Sequence, residues 1–236
     1  LVGSEMFIRD SSTFQLKKDF SLDLTNINPD SKSVIFPNPN AITGIALSTD
    51  VIDRFVKENP DKLIIIDEAY ADFCKDSCVS LINKYSNILI IQTFSKSRGM
   101  AGLRVGFCFG SKPLIDGLRA VKNSFNSYPV DTLATLAAIS ATNDDLWFKN
   151  NIHTIVKTRS YFSRELEKIG LQVLPASDNF VLITHPSIEA DTLKDHLFKN
   201  KILVRHFPET SVSNWLRITI GKRKDCDLLL SILKQK

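Results

Sequence analysis

The sequence has no run of roughly 18 apolar residues. Its longest uninterrupted ones, Leu63 to Ile66 and Ile88 to Ile91, have the length of strands, which excludes a helical membrane span and leads us to expect a soluble protein. Cysteine is scarce. The four present, Cys74, Cys78, Cys108 and Cys226, show neither paired CxxC spacing nor histidines at ligand distance. That argues against structural zinc, or any other metal, and against a disulfide framework, and it fits a reducing cytoplasm. Neither sign of charge dominates: 30 Lys and Arg face 26 Asp and Glu, a formal net charge of +4, and the basic residues are dispersed among acids. A nucleic-acid binder would gather them into a stripe, whereas small anions remain suitable partners. Internal repeats and low-complexity linkers are missing, and Leu1 to Arg9 lacks the basic and then apolar pattern of a secretory signal. An initiator methionine is missing as well, so the chain reads as one whose earlier residues are not included.

What is present is an ordinary globular composition, 43% hydrophobic and 24% charged, with length for one large or two modest domains. Ser33 to Phe36, Lys62 to Asp67, Asn87 to Phe94 and Arg104 to Phe109 read as strands, rich in Ile, Leu and Val. Ser48 to Lys57 reads as a capped helix. Buried strands separated by amphipathic spacers predict an α/β fold with a mostly parallel sheet and helices on both faces. Pro113 to Phe125, Asp131 to Ala141 and a long stretch from Asp145 to Ile169, stopped by Gly170, are expected helices. Beyond Gly170 the pattern becomes mixed. Short strands are expected at Leu171 to Leu174, Phe180 to Thr184, Ile202 to Val204 and Trp215 to Ile220, with helices at Ile188 to Lys199 and Lys222 to Leu233. We therefore expect a major domain over residues 1–145 and a smaller α+β domain over 146–236, with the boundary in the long helix.

In a parallel sheet, ligands bind beyond the carboxyl ends of the strands, and the chemically versatile residues fall there. Asp67 ends one strand and is followed by Glu68-Ala-Tyr70; Lys96 sits just past the next, in Thr93-Phe-Ser-Lys96; Arg104 opens the strand after that. Singly, a loop lysine is usually a solvated charge and a strand-end Asp often only a cap. Together they supply what pyridoxal 5'-phosphate requires. Lys96 offers an amine for the aldehyde, Asp67 an acid for the pyridine nitrogen, Thr93, Ser95 and Arg104 donors for the phosphate, and Tyr70 a hydrogen bond to the ring oxygen.

Four segments carry a family resemblance: Asn38-Pro-Asn-Ala-Ile-Thr-Gly44, Asp67-Glu-Ala-Tyr70, Thr93-Phe-Ser-Lys-Ser-Arg-Gly-Met-Ala-Gly-Leu-Arg-Val-Gly106 and Asn214-Trp-Leu-Arg-Ile-Thr-Ile-Gly221. In this order they resemble the successive signatures of class I/II, fold type I aminotransferases. Asn123-Ser-Phe-Asn-Ser-Tyr-Pro129 and Ile202-Leu-Val-Arg-His-Phe207 are similar to histidinol-phosphate aminotransferases within that family. The resemblance implies that Lys96 bonds covalently to the cofactor and then serves as acid and base. Asp67 pairs with the pyridine nitrogen, and Thr93, Ser95 and Arg104 hold the phosphate. Arg217 receives the substrate anion, Arg205 is a second arginine directed at substrate phosphate, and Asn179 and Tyr128 are pocket residues. It also implies amino transfer from L-histidinol phosphate to 2-oxoglutarate with ping-pong kinetics, in a homodimer.

Two departures stand out. Ala41 replaces the asparagine that the family directs at the ring oxygen, leaving Asn40 or Asn38 as substitutes, of which we select Asn40, or Tyr70 acting alone. The family's N-terminal arm, glycine-rich phosphate loop and ring-stacking aromatic have no counterpart between Leu1 and Asp30. Other readings remain: a threonine-phosphate decarboxylase or aromatic aminotransferase on the same scaffold, or a noncatalytic aminotransferase-like regulatory module.

Overall fold

The computed structural model describes residues 10–234. Leu1 to Arg9, where no signal pattern was found, lies outside the described residues. The first sheet has four strands in the order β1 (Ser33–Pro37), β2 (Leu63–Asp67), β3 (Ile88–Thr93) and β4 (Gly106–Gly110). The first three run parallel, with Pro37 opposite Asp67 and Asp67 opposite Ile91. The fourth is antiparallel to β3, with Thr93 opposite Gly106. This reversal has a chemical consequence. In a fourth parallel strand, the residues just before β4 would lie at the amino ends of β1 to β3; the antiparallel turn brings Arg104 to their carboxyl ends beside Thr93.

Alternation decides which face of this sheet is buried. Val34, Phe36, Ile64, Ile66, Ile88 and Ile90 point to one side and form a core with Ile52, Phe55 and Val56 of α1 (Thr49–Glu58) and with Cys78 and Leu81 of the 3-10 segment Cys78–Asn83. The helix forms because Ile52, Phe55 and Val56 recur at i, i+3 and i+4, and because Ser48 Oγ accepts the Val51 N–H. The opposite face carries Ile35, Ile65 and Ile91, and Ile35 is 50% exposed. Cover by helices is therefore uneven: α2 (Lys112–Phe125) packs on β4 but buries no residue completely. In α3 (Thr132–Asn143) only Ala134 is buried.

The second sheet has the order β5 (Gln172–Val173), β6 (Phe180–Thr184), β8 (Leu216–Thr219) and β7 (Arg205–His206), all antiparallel. Every residue of β6 is buried. Its core joins Val181, Ile183, Leu216 and Ile218 to Phe162 and Leu166 of α4 (Asp145–Lys168), Leu193 and Leu197 of α5 (Ala190–Lys199) and Leu229 and Leu230 of α6 (Arg223–Leu233). The strand expected at Ile202 to Val204 forms later, at Arg205–His206. In its place a turn with Lys201 at φ 61° follows the end of α5, and Ile202 N–H bonds to Leu197 O. Among the described residues no helix is long and apolar enough to cross a membrane.

The two sheets meet where α4 begins. Ile152, Ile155 and Val156 of this helix pack against Tyr70 and Phe73 from the first sheet's loops and Phe180 from the second. One helix thus spans both layers and sets their relation.

Candidate active site

Beyond Asp67 the chain must turn at once, and Glu68 anchors that turn. Only 3% exposed, its carboxylate accepts from Cys78 N–H (2.6 Å), Ser77 Oγ (2.6 Å) and Gln92 Nε2 (2.9 Å). A buried carboxylate with three donors is satisfied, so Glu68 braces the loop. Asp67 Oδ1 accepts the Ala69 N–H at 2.9 Å, which directs the chain toward Tyr70. The Tyr70 ring is buried, edge-on to Phe180 with centroids 5.5 Å apart.

The loop from Thr93 to Gly106 is a compact series of turns. Ser95 N–H bonds to Thr93 Oγ1 (3.1 Å), which donates to Ser95 Oγ at 2.9 Å, so two hydroxyls share one position at the end of β3. Met100 N–H returns to Phe94 O, and Gly99 adopts φ 68° to allow the bend. Lys96 is half-buried, with Nζ 5.0 Å from the centroid of the Tyr70 ring. Its neighbour Ser97, fully buried, donates to Asp72 Oδ2, and Asn151 of α4 donates to Ser97 O at 2.8 Å. The lysine backbone is therefore pinned from both sides. Arg104 holds φ 56°, an expensive conformation for a non-glycine residue, and its Nη1 donates to Ala101 O at 3.0 Å with the side chain exposed.

The second sheet contributes cations. Arg205 and Arg217 are register partners across β7 and β8, and their guanidiniums lie 5.2 and 5.3 Å from the Phe207 ring centroid. Arg217 also lies 4.7 Å from the ring of Phe180, and its Nη1 donates to Ala41 O at 2.5 Å. Tyr70, Phe180, Arg217 and Phe207 thus form a continuous path from the lysine to the paired arginines.

Other sequence candidates are placed differently. Asn40 Oδ1 accepts from Ile42 N–H and Thr43 N–H, both at 3.0 Å, and Asn38 is bound to both backbone atoms of Leu47. Asn40 thus uses its carbonyl oxygen to shape the turn that ends at Gly44, and Asn38 ties the start of that turn to Leu47 beyond it. Asn179 is half-buried beside the path, and its backbone carbonyl accepts from Ile220 N–H. Tyr128 is not brought to this cluster. It stands 91% exposed between α2 and α3, two helices with little burial of their own to draw it inward.

Asp178 was not visible as a functional residue in the sequence, where it is one polar residue of a Ser-Asp-Asn loop. It is completely buried; Oδ1 accepts the Phe180 N–H at 3.0 Å, while Oδ2 has no hydrogen-bond partner. Burial pushes its carboxyl up to about 7, against the opposing pull of the Phe180 N–H and of Arg159 and Arg217. Nearby Cys74 is pushed up to about 12, also by burial, and stays a thiol that donates to Ser177 O.

Comparison with known proteins shows the family to which this fold belongs. The chain belongs to the family "Aminotransferase class I and II", which matches residues 6–233. It is 41% identical over 234 residues to a histidinol-phosphate aminotransferase of Clostridium botulinum, a match that covers 99% of this chain and 66% of that protein. The chain thus spans slightly under two thirds of that relative's length. Among solved structures, the histidinol-phosphate aminotransferase from Clostridium acetobutylicum superposes with a TM-score of 0.86 at 29% identity, covering 93% of this chain and 69% of that one. The Sinorhizobium meliloti histidinol-phosphate aminotransferase in complex with pyridoxal-5'-phosphate shares the fold, with a TM-score of 0.76 at 23% identity over 86% of this chain and 56% of that one.

Proposed function

We propose that the protein is a pyridoxal-phosphate-dependent aminotransferase that moves an amino group from L-histidinol phosphate to 2-oxoglutarate, giving imidazole acetol phosphate and L-glutamate. The observation that carries the reading is the half-buried Lys96 amine against Tyr70, within one apolar path of the Arg205 and Arg217 pair.

The residues fit the cofactor by donor chemistry. Lys96 would hold it covalently, Asp67 would keep a proton on the pyridine nitrogen, Tyr70 would serve the ring oxygen, and Thr93, Ser95 and Arg104 would receive the phosphate. When bound, the cofactor supplies an electron-accepting ring that makes the substrate's amino-bearing carbon acidic. The Lys96 amine would serve as acid and base for the proton of that substrate carbon, and Tyr70 and the pinned Ser97 keep the amine in place. The two arginines serve both half-reactions. Histidinol phosphate carries its only negative charge on phosphate, and 2-oxoglutarate is a dicarboxylate, so one pair of forked donors suits each substrate in turn. Asn179, next to Phe180 in the chain, would contribute to the substrate's surroundings.

The protein works in the cytoplasm as a homodimer, and its chain divides near residue 146 into a cofactor-binding and a smaller domain. The experiment is a pair of measurements. Pyridoxal phosphate should give the wild type a visible absorbance band that Lys96→Ala lacks, and a substrate panel should show turnover of histidinol phosphate. Turnover of phosphothreonine or aromatic amino acids with histidinol phosphate inert would refute the substrate.

A further inference from the structure

The Asn40–Gly44 turn belongs to the first sheet but is gripped by the second. Ser177 N–H donates to Gly44 O at 2.8 Å, Arg217 Nη1 donates to Ala41 O at 2.5 Å, and Gly44, at φ 78°, packs against the Asp178 carboxyl. The packing is tight enough that a Cβ on Gly44 would lie 2.7 Å from Asp178 Oδ2. The segment gripping the turn is itself fixed, by Arg159 donating to Asp178 O and by Cys74 Sγ donating to Ser177 O at 3.1 Å. What this clasp presses against Gly44 is a buried oxygen with no donor to satisfy it.

We propose that Asp178 is a positioning residue for Arg217: its buried carboxyl seats the Asn40–Gly44 turn, and the turn's Ala41 carbonyl holds the guanidinium in place for an anionic substrate. The proposal rests on Arg217 being the anion anchor of the reading above. An uncharged carboxyl tolerates a site without a donor, whereas an ionised one demands a partner. The charged groups that face it are Arg159 from α4 and Arg217 from β8, together with the Cys74 thiol; the turn brings none of its own. Arg159 gives Nη1 to the Asp178 backbone carbonyl and keeps its other N–H groups, so an ionised Asp178 attracts both guanidiniums, and the one whose movement breaks the Ala41 contact is Arg217. Ionisation therefore pulls Arg217 off Ala41 O, loosens the turn and offsets the positive charge that an incoming carboxylate or phosphate needs. The carboxyl's ordinary range lies far below neutrality, and burial raises it to about 7, which places this change within the working range of a cytoplasmic enzyme.

The test is the binding of glutarate, a dicarboxylate with no carbonyl to react, measured by calorimetry on the pyridoxal-phosphate-treated protein between about pH 6 and pH 8.5. If only the protonated form is competent, the apparent Kd of the wild type rises with pH, by up to about thirtyfold across that span. Asp178→Asn keeps an oxygen for the Phe180 N–H and cannot ionise. It should bind glutarate with the wild type's low-pH affinity at every pH, and in turnover its KM should be flat while kcat follows the wild type. A carbon-detected titration of the Asp178 carboxyl gives a readout independent of activity, and glutarate should move its midpoint upward. Parallel pH profiles for wild type and Asp178→Asn would overturn the proposal. So would uniformly weaker binding by the asparagine variant, since the charge itself would then be the useful feature, and so would a failure of glutarate to bind either protein. Loss of transamination with the glutarate dependence intact would count against the proposed reaction alone.

Discussion

Replacing Asp178 by asparagine should stabilise the protein progressively as pH rises, and the size of the effect follows from the carboxyl's position. Its usual value is 3.8, and burial raises it to about 7. Between those values the folded chain holds a proton that the unfolded chain has released. The native state therefore binds more protons, and stability falls as pH increases. Below about pH 4 both states are protonated and the group contributes nothing. Above about pH 7 both are ionised, and the full cost of burying the charge remains. At 1.36 kcal/mol per unit, the wild type should lose about 2 to 3 kcal/mol between pH 5 and pH 8 through this residue. Asparagine carries no such dependence. The assay is urea unfolding of both proteins at a series of pH values. Subtracting the curves removes the titrations they share, and the difference should grow by that amount in favour of Asp178→Asn. A difference constant within about 0.5 kcal/mol would mean that Asp178 titrates normally, and that water or a partner reaches Oδ2.

Gly44→Ala should cost about 2–4 kcal/mol in urea unfolding, because it adds left-handed backbone strain to a Cβ 2.7 Å from a carboxyl oxygen; a loss under 0.5 kcal/mol would show the clasp to be loose. Glu68→Gln keeps the shape but replaces a charged acceptor of three donors with an amide, and thermal unfolding should register a loss of about 2–3 kcal/mol. Phe162→Ala empties the centre of the second core at a cost of about 3–5 kcal/mol. If the chain divides near residue 146 into separate folding units, calorimetry should show one transition lowered and the other unmoved.

The sheet strands were legible because their residues repeat in short Ile, Leu and Val runs that only burial explains, and α4 because its apolar period persists over 24 residues. What sequence pattern could not give was direction. Nothing in Arg104 to Phe109 distinguishes a parallel fourth strand from an antiparallel one, yet the choice decides whether Arg104 reaches the site. The strand at Arg205–His206 was displaced for a related reason: Ile202 and Val204 are apolar because they pack on the second core, which does not require ladder pairing. The lysine loop was readable from residue order alone, since local chemistry dictates its turns. Asp178 was not, because its character comes from three distant groups, Gly44, Arg159 and Arg217, that only the fold assembles.

That difference bears on how the site works. The groups expected to meet the cofactor lie in loops attached to adjacent strands of one sheet, where a single stretch of chain sets their spacing. The groups expected to meet the substrate's anion lie on another sheet, so their distance from Lys96 depends on contacts between layers. Three such contacts converge on the Asn40–Gly44 turn, and a fourth, Tyr70 against Phe180, lies beside it. Closing the second sheet onto the first therefore fixes the separation between amine and guanidinium. The turn is well suited to this because Asn40 already holds it rigid from within, through the Ile42 and Thr43 N–H groups. A rigid turn transmits a displacement that a floppy one would absorb. A substitution in the turn should accordingly change substrate affinity before it changes cofactor binding, although Ala41 and Gly44 belong to the cofactor's side of the molecule.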